Sequence, residues 1–481
     1  YHVHVDQGAG NSLNPDFDPT TNSAYLGSAI SLGNSRWPGQ TSVVTTELPV
    51  APVTSIASFM HFKLNPGRTS YATEQHLWDV AANQALGIGN SFAHPLIPAT
   101  AVYHDVPDLA ARGGEEWLEF KLPRDCYDRA YLTNDALWDE WFCSTITPED
   151  RGIYTTGRDL DEVVRDFTSN EKPLANPHLR PWRGGLSGKD LARVFADGRS
   201  PAADAWREAS SHLMLDGAFN INTTSVDAWK MFLWGLRGGN MVYLDGNGSV
   251  RERAIPDDRV AFSRFSLPGS DEEGTNPGDP AAWRGIRLLT ERQIDRLAEE
   301  CVRQVKLRGP FLNLSDFVNR RLEDGPFGLS GALQAAIDWD DDGGDSSGPD
   351  SINGRFKSPD DMIGTSDVAS WELPNPGAAA GSMFTGIPGY LTQADVLKRI
   401  GNMIVPRDDT FRIRAYGDAR DAAGHVVSRA WCEAVVQRVP EYLDPADEPD
   451  TAAKDLSSEV NRRFGRRFNL ISFRWLSPDA V

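Results

Sequence analysis

The clearest alternation of apolar and polar positions lies in residues 217–238, GAFNINTTSVDAWKMFLWGLRG. Phe219 and Ile221 alternate with asparagines, which is the period of a half-buried strand. Thr224 stands three positions before Asp227, an arrangement that caps a helix start. The apolar side chains that follow recur at helical spacing, and they are Val226, Trp229, Phe232, Leu233 and Leu236. The stretch predicts a short strand and a capped helix, ended by a glycine pair, that serves packing rather than chemistry.

The same two periodicities divide the chain into four regions. Residues 1–125 predict a β-rich, turn-rich region, and residues 126–345 predict a helical domain. Residues 346–390 are acidic and rich in glycine and proline, which indicates a long functional or partly mobile loop. Residues 391–481 predict a helix, a β-hairpin and a final strand that completes a sheet. The expected fold class is therefore α+β.

Individual elements can be placed within these regions. Thr290 and Gln293 form a capping box, which predicts the start of a long helix. Helices are predicted at 160–169, 189–198, 290–309, 331–339 and 391–401. Strands are predicted within 41–64, at 116–122, in a hairpin over 410–439 and at 466–476. In the first strand of the hairpin, apolar and polar residues alternate as Phe411, Arg412, Ile413, Arg414, Ala415 and Tyr416.

The charge balance narrows the classes of function. The 481 residues include 48 Lys and Arg against 68 Asp and Glu, a formal net charge of −20. Nucleic acid and anionic membranes are themselves polyanionic, so neither is expected as a general partner. The balance is compatible with a protein that works outside the cell and binds divalent cations.

The cysteines and the start of the chain bear on the cell compartment. Cys301 lies on the apolar stripe of the 290–309 helix, which predicts a buried thiol. Cys126 and Cys143 are close enough in sequence for a disulfide, and the sequence leaves that pairing open. The chain begins with a tyrosine and has neither a signal-type apolar core nor an apolar run of membrane-spanning length. We expect a mature or partial chain whose export segment lies upstream.

The familiar catalytic motifs are missing from the sequence, whereas one cation-binding pattern is present. There is no HExxH, no GxSxG and no phosphate-binding loop. In contrast, DWDDDG at 338–343 matches the first half of a calcium loop. The candidate ligands are Asp338, Asp340, Asp342, Asp345 and Asp350. Pro349 replaces the glutamate that closes such a loop, so a solvated acidic loop is the alternative to a Ca²⁺ site.

One basic cluster, NRRFGRRFN at 461–469, stands out in this acidic chain. Arginines interleaved with phenylalanines favour ion pairing or a contact between proteins over a phosphate site. We take Arg463 and Arg467 as candidate interface residues, together with Trp229 and Trp234 of the capped helix.

Several long motifs resemble the family called Verru_Chthon cassette protein A. They are YLTNDALWDEWFCSTI (131–146), DGAFNINTTSVDAWKMFLWGLRG (216–238), GPFLNLSDFVNRRL (309–322), the hairpin segment 409–445 and RRFGRRFNLISFRWLSPD (462–479). The resemblance covers most of residues 70–481. It implies pilin-like cassette proteins or filament subunits as partners, and a membrane contact only through an upstream segment. It also implies an exported chain located in the periplasm, at the cell surface or in an extracellular filament. It implies no established enzymatic activity.

A remoter likeness is to the GspK minor pseudopilins of type II secretion and type IV pilus-like systems. FNINTTS and IDWDDDG stand in the place of two motifs of those proteins. The likeness implies a pilin-like antiparallel β-sheet region interrupted by a large helical inserted domain, and it favours calcium at the acidic loop. We therefore expect a non-enzymatic structural protein at the tip or surface of a pilus-like or secretion-related filament. The alternatives are a calcium-stabilised adhesin or carbohydrate-binding surface protein and, more distantly, a secreted hydrolase.

Overall fold

Short helices and short antiparallel strands follow one another along the chain. The computed structural model describes residues 47, 49, 52–62, 86–105, 125–149, 157–245, 247–274, 276–339, 350–359, 362–369 and 373–477. The helices of these residues are α1 (Arg129–Leu137), α2 (Leu160–Ser169), α3 (Gly188–Phe195), α4 (Ala205–Glu208), α5 (Val226–Trp234), α6 (Glu291–Arg308), α7 (Leu314–Val318), α8 (Ala332–Ile337), α9 (Thr365–Val368), α10 (Gln393–Ile400) and α11 (Glu459–Phe464).

The strands are mostly short and pair in antiparallel fashion. They are β1 (Tyr103–Asp105), β2 (Asp125–Tyr127), β3 (Leu179–Pro181), β4 (Ala196–Asp197), β5 (Ser200–Pro201), β6 (Leu213–Leu215), β7 (Phe219–Asn220), β8 (Asn240–Leu244), β9 (Val250–Ala254), β10 (Arg259–Ser263), β11 (Ile286–Thr290), β12 (Met362–Ile363), β13 (Gly381–Ser382), β14 (Ile404–Val405), β15 (Thr410–Arg420), β16 (Val426–Tyr442) and β17 (Arg466–Leu476). Mixed helices and small antiparallel sheets confirm the α+β class.

The backbone packs into two units, and each is built from two separate stretches of chain. The first unit comprises residues 1–143 and 221–406, and the second comprises residues 144–220 and 407–481. The sequence regions were expected to follow one another in series, with 126–345 as one helical domain. The structure instead groups 144–220 with the carboxy-terminal strands, because long-range packing, which periodicity does not report, sets the division.

The first unit is organised around α6, an amphipathic helix of 18 residues. Its capping box of Thr290 and Gln293 is present as predicted, and the thiol of Cys301 is buried. Helix α6 packs against α5 and α8. On α5, the fully buried Trp229 lies 6.4 Å from Phe317 between ring centroids, in a stacked arrangement. The tryptophan-bearing helix of the 217–238 stretch is therefore a core element of this unit.

The start of α5 differs slightly from the sequence prediction. Ser225, rather than Thr224, is the N-cap, and its hydroxyl accepts a hydrogen bond from the amide of Ala228 at 3.2 Å. The preceding strand is reduced to β7, which ends before Asn222. The side chain of Asn222 instead binds the backbone of Phe311. Its side-chain oxygen accepts from the amide of Phe311 at 2.7 Å, and its side-chain nitrogen donates to the carbonyl of the same residue at 2.8 Å.

Buried arginines hold irregular segments of the first unit in place. Arg264 forms an ion pair with Asp395 at 2.6 Å, and both side chains are 1% exposed. Arg320 forms one with Asp128 at 3.0 Å, and both are 0% exposed. Arg287 donates to the carbonyls of two otherwise irregular segments. Buried carbonyls of irregular backbone need hydrogen-bond donors. A guanidinium has five N–H donors and can therefore bind several such carbonyls at once.

The described part of the 346–390 region belongs to the core, although its backbone is irregular. It contributes α9 and the β12–β13 pair. Phe356 is fully buried, and Ile387 and Tyr390 are almost so. These side chains form one apolar cluster with Trp283. Much of the described part is therefore packed in the core, which differs from the long functional or partly mobile loop that the sequence predicted.

The amino-terminal expectations are tested only in part. Residues 41–46, 48, 50–51 and 63–64 and all of 116–122 lie outside the described residues. The described part of 41–64 contains a 3-10 turn at Ile56–Phe59 and no strand. Cys143 is a free thiol, so the disulfide with Cys126 that the sequence left open is not formed.

The second unit combines a small helical layer with a three-stranded sheet. Helices α2 and α3 enclose an apolar cluster that includes Phe167 and Phe195. The sheet has the order β15–β16–β17 and is antiparallel throughout. In the turn between β15 and β16, the carboxylate of Asp421 accepts from the amides of Ala423 and His425. The predicted hairpin and the predicted last strand are both confirmed.

Candidate assembly surface

The three-stranded sheet has two faces of opposite character. Residues directly opposite one another in antiparallel strands point to the same side. The register pairs Ile413 with Ala434 and Ala434 with Phe473. The same register and the strand alternation define an apolar face, which consists of Phe411, Ile413, Ala415, Cys432, Ala434, Val436, Phe468, Leu470, Phe473 and Trp475. The other side is an arginine face, whose charged and aromatic residues are Arg412, Arg414, Tyr416, Asp418, Arg420, Arg429, Trp431, Glu433 and Arg474; Val435, Ser472 and Leu476 lie on the same side.

The apolar face is largely open to solvent. Trp475 is 71% exposed, Leu470 is 63% exposed and Phe473 is 51% exposed. On the other outer strand, Ile413 is 51% exposed and Phe411 is 41% exposed. Folded monomers rarely present a contiguous apolar patch of this kind, and such patches mark sites of interaction. The face is therefore the strongest candidate for a functional surface in the described residues.

The side chains of the apolar face form a shallow trough. The central strand β16 contributes the small residues Cys432 and Ala434, whereas the outer strands contribute larger ones such as Ile413, Phe473 and Trp475. Adjacent strands are spaced by about 4.8 Å, so the two outer rows lie roughly 10 Å apart. An α-helix with its side chains has a diameter of about 10–12 Å. A helix laid along this face would rest on the two outer rows, above the small side chains of β16.

The arginine face is tied together across all three strands. Glu433, which is 4% exposed, accepts from Nε of Arg414 at 2.9 Å and from Nε of Arg474 at 3.0 Å. The hydrogen bond from Arg414, followed by that from Arg474, lowers the pKa of the Glu433 carboxyl below its ordinary value. Each strand contributes one member of this triad, which holds the sheet together from the polar side.

The remaining residues of the arginine face are more accessible. Tyr416 is 53% exposed, and its ring lies 5.5 Å from that of Trp431 between centroids. Arg420 pairs with Asp418 at 3.1 Å. The exposed arginines 412 and 429 make no ion pair or hydrogen bond with any side chain that the structure describes.

The predicted interface residues are distributed differently from the expectation. Trp229 is 0% exposed, and its Nε1 donates to the carbonyl of Thr223 at 3.1 Å, so it is a core residue and not an interface contact. Trp234 is partly buried. Arg463 and Arg467 are both exposed, in agreement with an accessible position. The basic cluster lies on α11 and at the start of β17, and its Phe468 is part of the apolar face.

The described calcium candidates are engaged by protein donors. The side chain of Asp338 accepts from the hydroxyl of Tyr390 at 2.6 Å, from Nδ2 of Asn353 at 2.9 Å and from Nε2 of Gln334 at 2.8 Å. Asp350 pairs with an arginine of α6 at 3.1 Å. The other three candidates, Asp340, Asp342 and Asp345, lie outside the described residues. Where the chain is described, no three acidic, histidine or cysteine side chains are placed to hold a metal ion, so calcium binding stays a prediction.

Sequence reasoning found the strand that builds the apolar face but not the face itself. The alternation of residues 411–416 was visible in the sequence. Whether another element of the described chain covers the face depends on the rest of the fold, and the face is exposed. Among the helices described here, none is both long enough and apolar enough to cross a membrane. Comparisons with family models, with curated proteins and with solved structures find no match for this chain.

Proposed function

We propose that this protein is a non-enzymatic, exported, pseudopilin-like structural subunit that is completed by an apolar α-helix seated on the apolar face of its sheet. The observation that carries the proposal is the exposure of that face. Its partners are pilin-like cassette proteins or other subunits of a pilus-like or secretion-related filament, and it lies at the tip or surface of that filament.

Burial of the exposed apolar side chains would supply a driving force for a cover on this face. Full burial of a large apolar side chain stabilises by about 1.5–3 kcal/mol relative to exposure. Trp475, Leu470, Phe473, Ile413 and Phe411 are each between 41% and 71% exposed. Covering them would contribute on the order of 5 kcal/mol before the entropy of association is subtracted. A face of this kind on a subunit is typical of a protein that works inside an assembly.

The motif resemblance supports the same reading. The sheet strands fall within the segments 409–445 and 462–479, which resemble the cassette family. Most of the FNINTTS segment, which resembles a GspK motif, falls in the helical first unit. An antiparallel sheet with one open apolar face and a second, helical unit is compatible with a pilin-like region that carries a large helical insertion.

Site-specific photo-crosslinking in the producing cell tests this proposal. A photoreactive phenylalanine replaces Trp475 in one strain and Trp206 in the other. Trp206 is the matched control, because it is 74% exposed in the same unit but lies on α4, outside the sheet. We expect position 475 to crosslink to an apolar helical segment of a pilin-like protein, and position 206 to give no such product.

The opposite results would separate the alternatives. Equal crosslinking from both positions, or products from 475 that contain no apolar helix, would refute a helix-seating role. An adhesin is distinguished by a glycan array, on which the Trp475→Ser variant would lose binding. Trp475→Ser is expected to change the free energy of unfolding by less than about 1 kcal/mol, since the ring is mostly exposed, so a lost crosslink or lost binding reflects recognition and not misfolding.

A further inference from the structure

The arginine face carries a second surface that the proposed function does not use. We propose that it is a docking site for a carboxylate-rich protein segment. Arg412 and Arg429 would bind the carboxylates of that segment on either side of the aromatic pair Tyr416 and Trp431. This inference goes beyond the proposed function and does not depend on the apolar face being covered by a helix.

The charge of this face contrasts with the rest of the protein. The first unit has 43 acidic against 26 basic residues, and the second has 25 against 22. On the arginine face the balance is reversed, with five arginines against Asp418 and Glu433. A local positive surface on a chain of net charge −20 is complementary to an acidic partner.

The face already shows how it holds a carboxylate. Glu433 is bound by arginines from both neighbouring strands, at 2.9 and 3.0 Å. Arg412 stands two residues from Arg414 on the same side of β15, and Arg429 lies opposite Asp418 at the other end of the face. Both are exposed and make no hydrogen bond or ion pair with a described side chain. They therefore have the donors that a partner's carboxylates require.

The aromatic pair supplies the apolar part of the contact. Tyr416 and Trp431 lie between Arg412 and Arg429 along the strands, with ring centroids 5.5 Å apart. Arginine, tyrosine and tryptophan are the residue types that contribute most to protein–protein binding. Arg429 lies opposite Asp418, which is six positions from Arg412 along β15. The two arginines are therefore separated by roughly 20 Å along the strand direction. This length suits about six residues of an extended acidic segment.

The size of the face argues for a protein rather than a nucleic acid or a membrane. Those polyanions extend well beyond a strip about 20 Å long, and they would meet the acidic remainder of the chain. Charges interact over about 8 Å at physiological salt, so a short acidic segment feels mainly the arginines.

Fluorescence anisotropy with a labelled decaglutamate peptide, at low and physiological salt, tests the inference on the full chain. The test variant is Arg412→Ser with Arg429→Ser. The control is Arg165→Ser with Arg199→Ser, which changes the net charge equally in the same unit. Those two side chains are 59% and 87% exposed and lie away from the sheet. We expect the test variant to bind about fivefold more weakly and the control to bind like the parent.

Further measurements separate recognition by the two arginines from a general charge effect. Arg412→Lys with Arg429→Lys keeps the charge but removes the forked donors, and we expect intermediate binding. Equal weakening in the Arg165 and Arg199 control would show a general charge effect and overturn the proposal. So would binding of a 20-base-pair DNA duplex, or of vesicles with 30% phosphatidylglycerol, as tightly as the peptide.

Discussion

The Arg320–Asp128 pair offers the sharpest test of how the first unit is held together. Both side chains are 0% exposed. The guanidinium donates to the carboxylate of Asp128 at 3.0 Å, and to the carbonyls of Ala99 and Ala101 at 2.6 and 2.7 Å. The other oxygen of Asp128 accepts from the amide of Tyr131 and so caps α1. One arginine thereby joins the segment before β1, the start of α1 and the chain after α7.

Replacement of Arg320 by methionine should cost about 4 kcal/mol of the free energy of unfolding of this unit. Removal of one partner of a buried ion pair typically costs about 3–5 kcal/mol, because a buried charge is left uncompensated. Here two carbonyls also lose their donor. Asp128→Asn keeps an oxygen for the helix cap but leaves the arginine unpaired. The double variant removes both charges, so its cost should fall short of the sum by about 2 kcal/mol.

Hydrogen exchange read by mass spectrometry is the suitable assay, because the two units need not unfold together. Peptides from 125–137 report on the perturbed region, and peptides from β16 report on the other unit. Arg292→Met is the matched control in the same unit, since its side chain is 75% exposed, and it should change stability by less than about 0.5 kcal/mol. A loss below about 1 kcal/mol for Arg320→Met, or full additivity in the double variant, would refute the reasoning.

Three further outcomes are expected in the first unit. Asn222→Ala should cost about 2 kcal/mol in urea unfolding, because both backbone groups of Phe311 lose their partner. Burial lowers the pKa of His61 to about 4, from 6.5. The folded state therefore binds fewer protons than the unfolded state between these values, and stability should fall by up to about 3 kcal/mol as the pH drops from 6.5 to 4. His61→Gln should flatten that slope. Asp338→Ala should lower Tm equally with calcium and with chelator, because the Tyr390 hydroxyl loses its acceptor; a loss seen only with calcium would favour a metal site.

Local signals in the sequence predicted several elements with good accuracy. The capping box of Thr290 and Gln293 starts α6 where the sequence places it, and Cys301 is buried on the predicted stripe. The hairpin and the last strand form where residues alternate. These features depend on interactions between residues at most four positions apart or on a two-residue period, so the chain encodes them locally.

The placement of the candidate residues depended on packing. Trp229 carries the signature of a helical apolar stripe, which does not distinguish a core position from an exposed one, and the structure buries it. Asp338 fits a calcium pattern, yet the folded chain brings donors from as far away as Tyr390 onto its oxygens. Carboxylates attract any nearby donor, and sequence spacing does not record which donors the fold supplies.

The amino-acid pattern alone was sufficient for the helices, the hairpin, the acidic balance and the two-sided alternation of β15. Tertiary structure was needed to join residues 144–220 with 407–481, to enclose the described irregular segments of 350–390 in the core and to leave both faces of the sheet exposed among the described residues. The reason is that alternation states which side chains share a face, whereas burial depends on whether another element reaches that face. Long-range contacts make that choice, and here they leave an apolar trough and an arginine face open to partners.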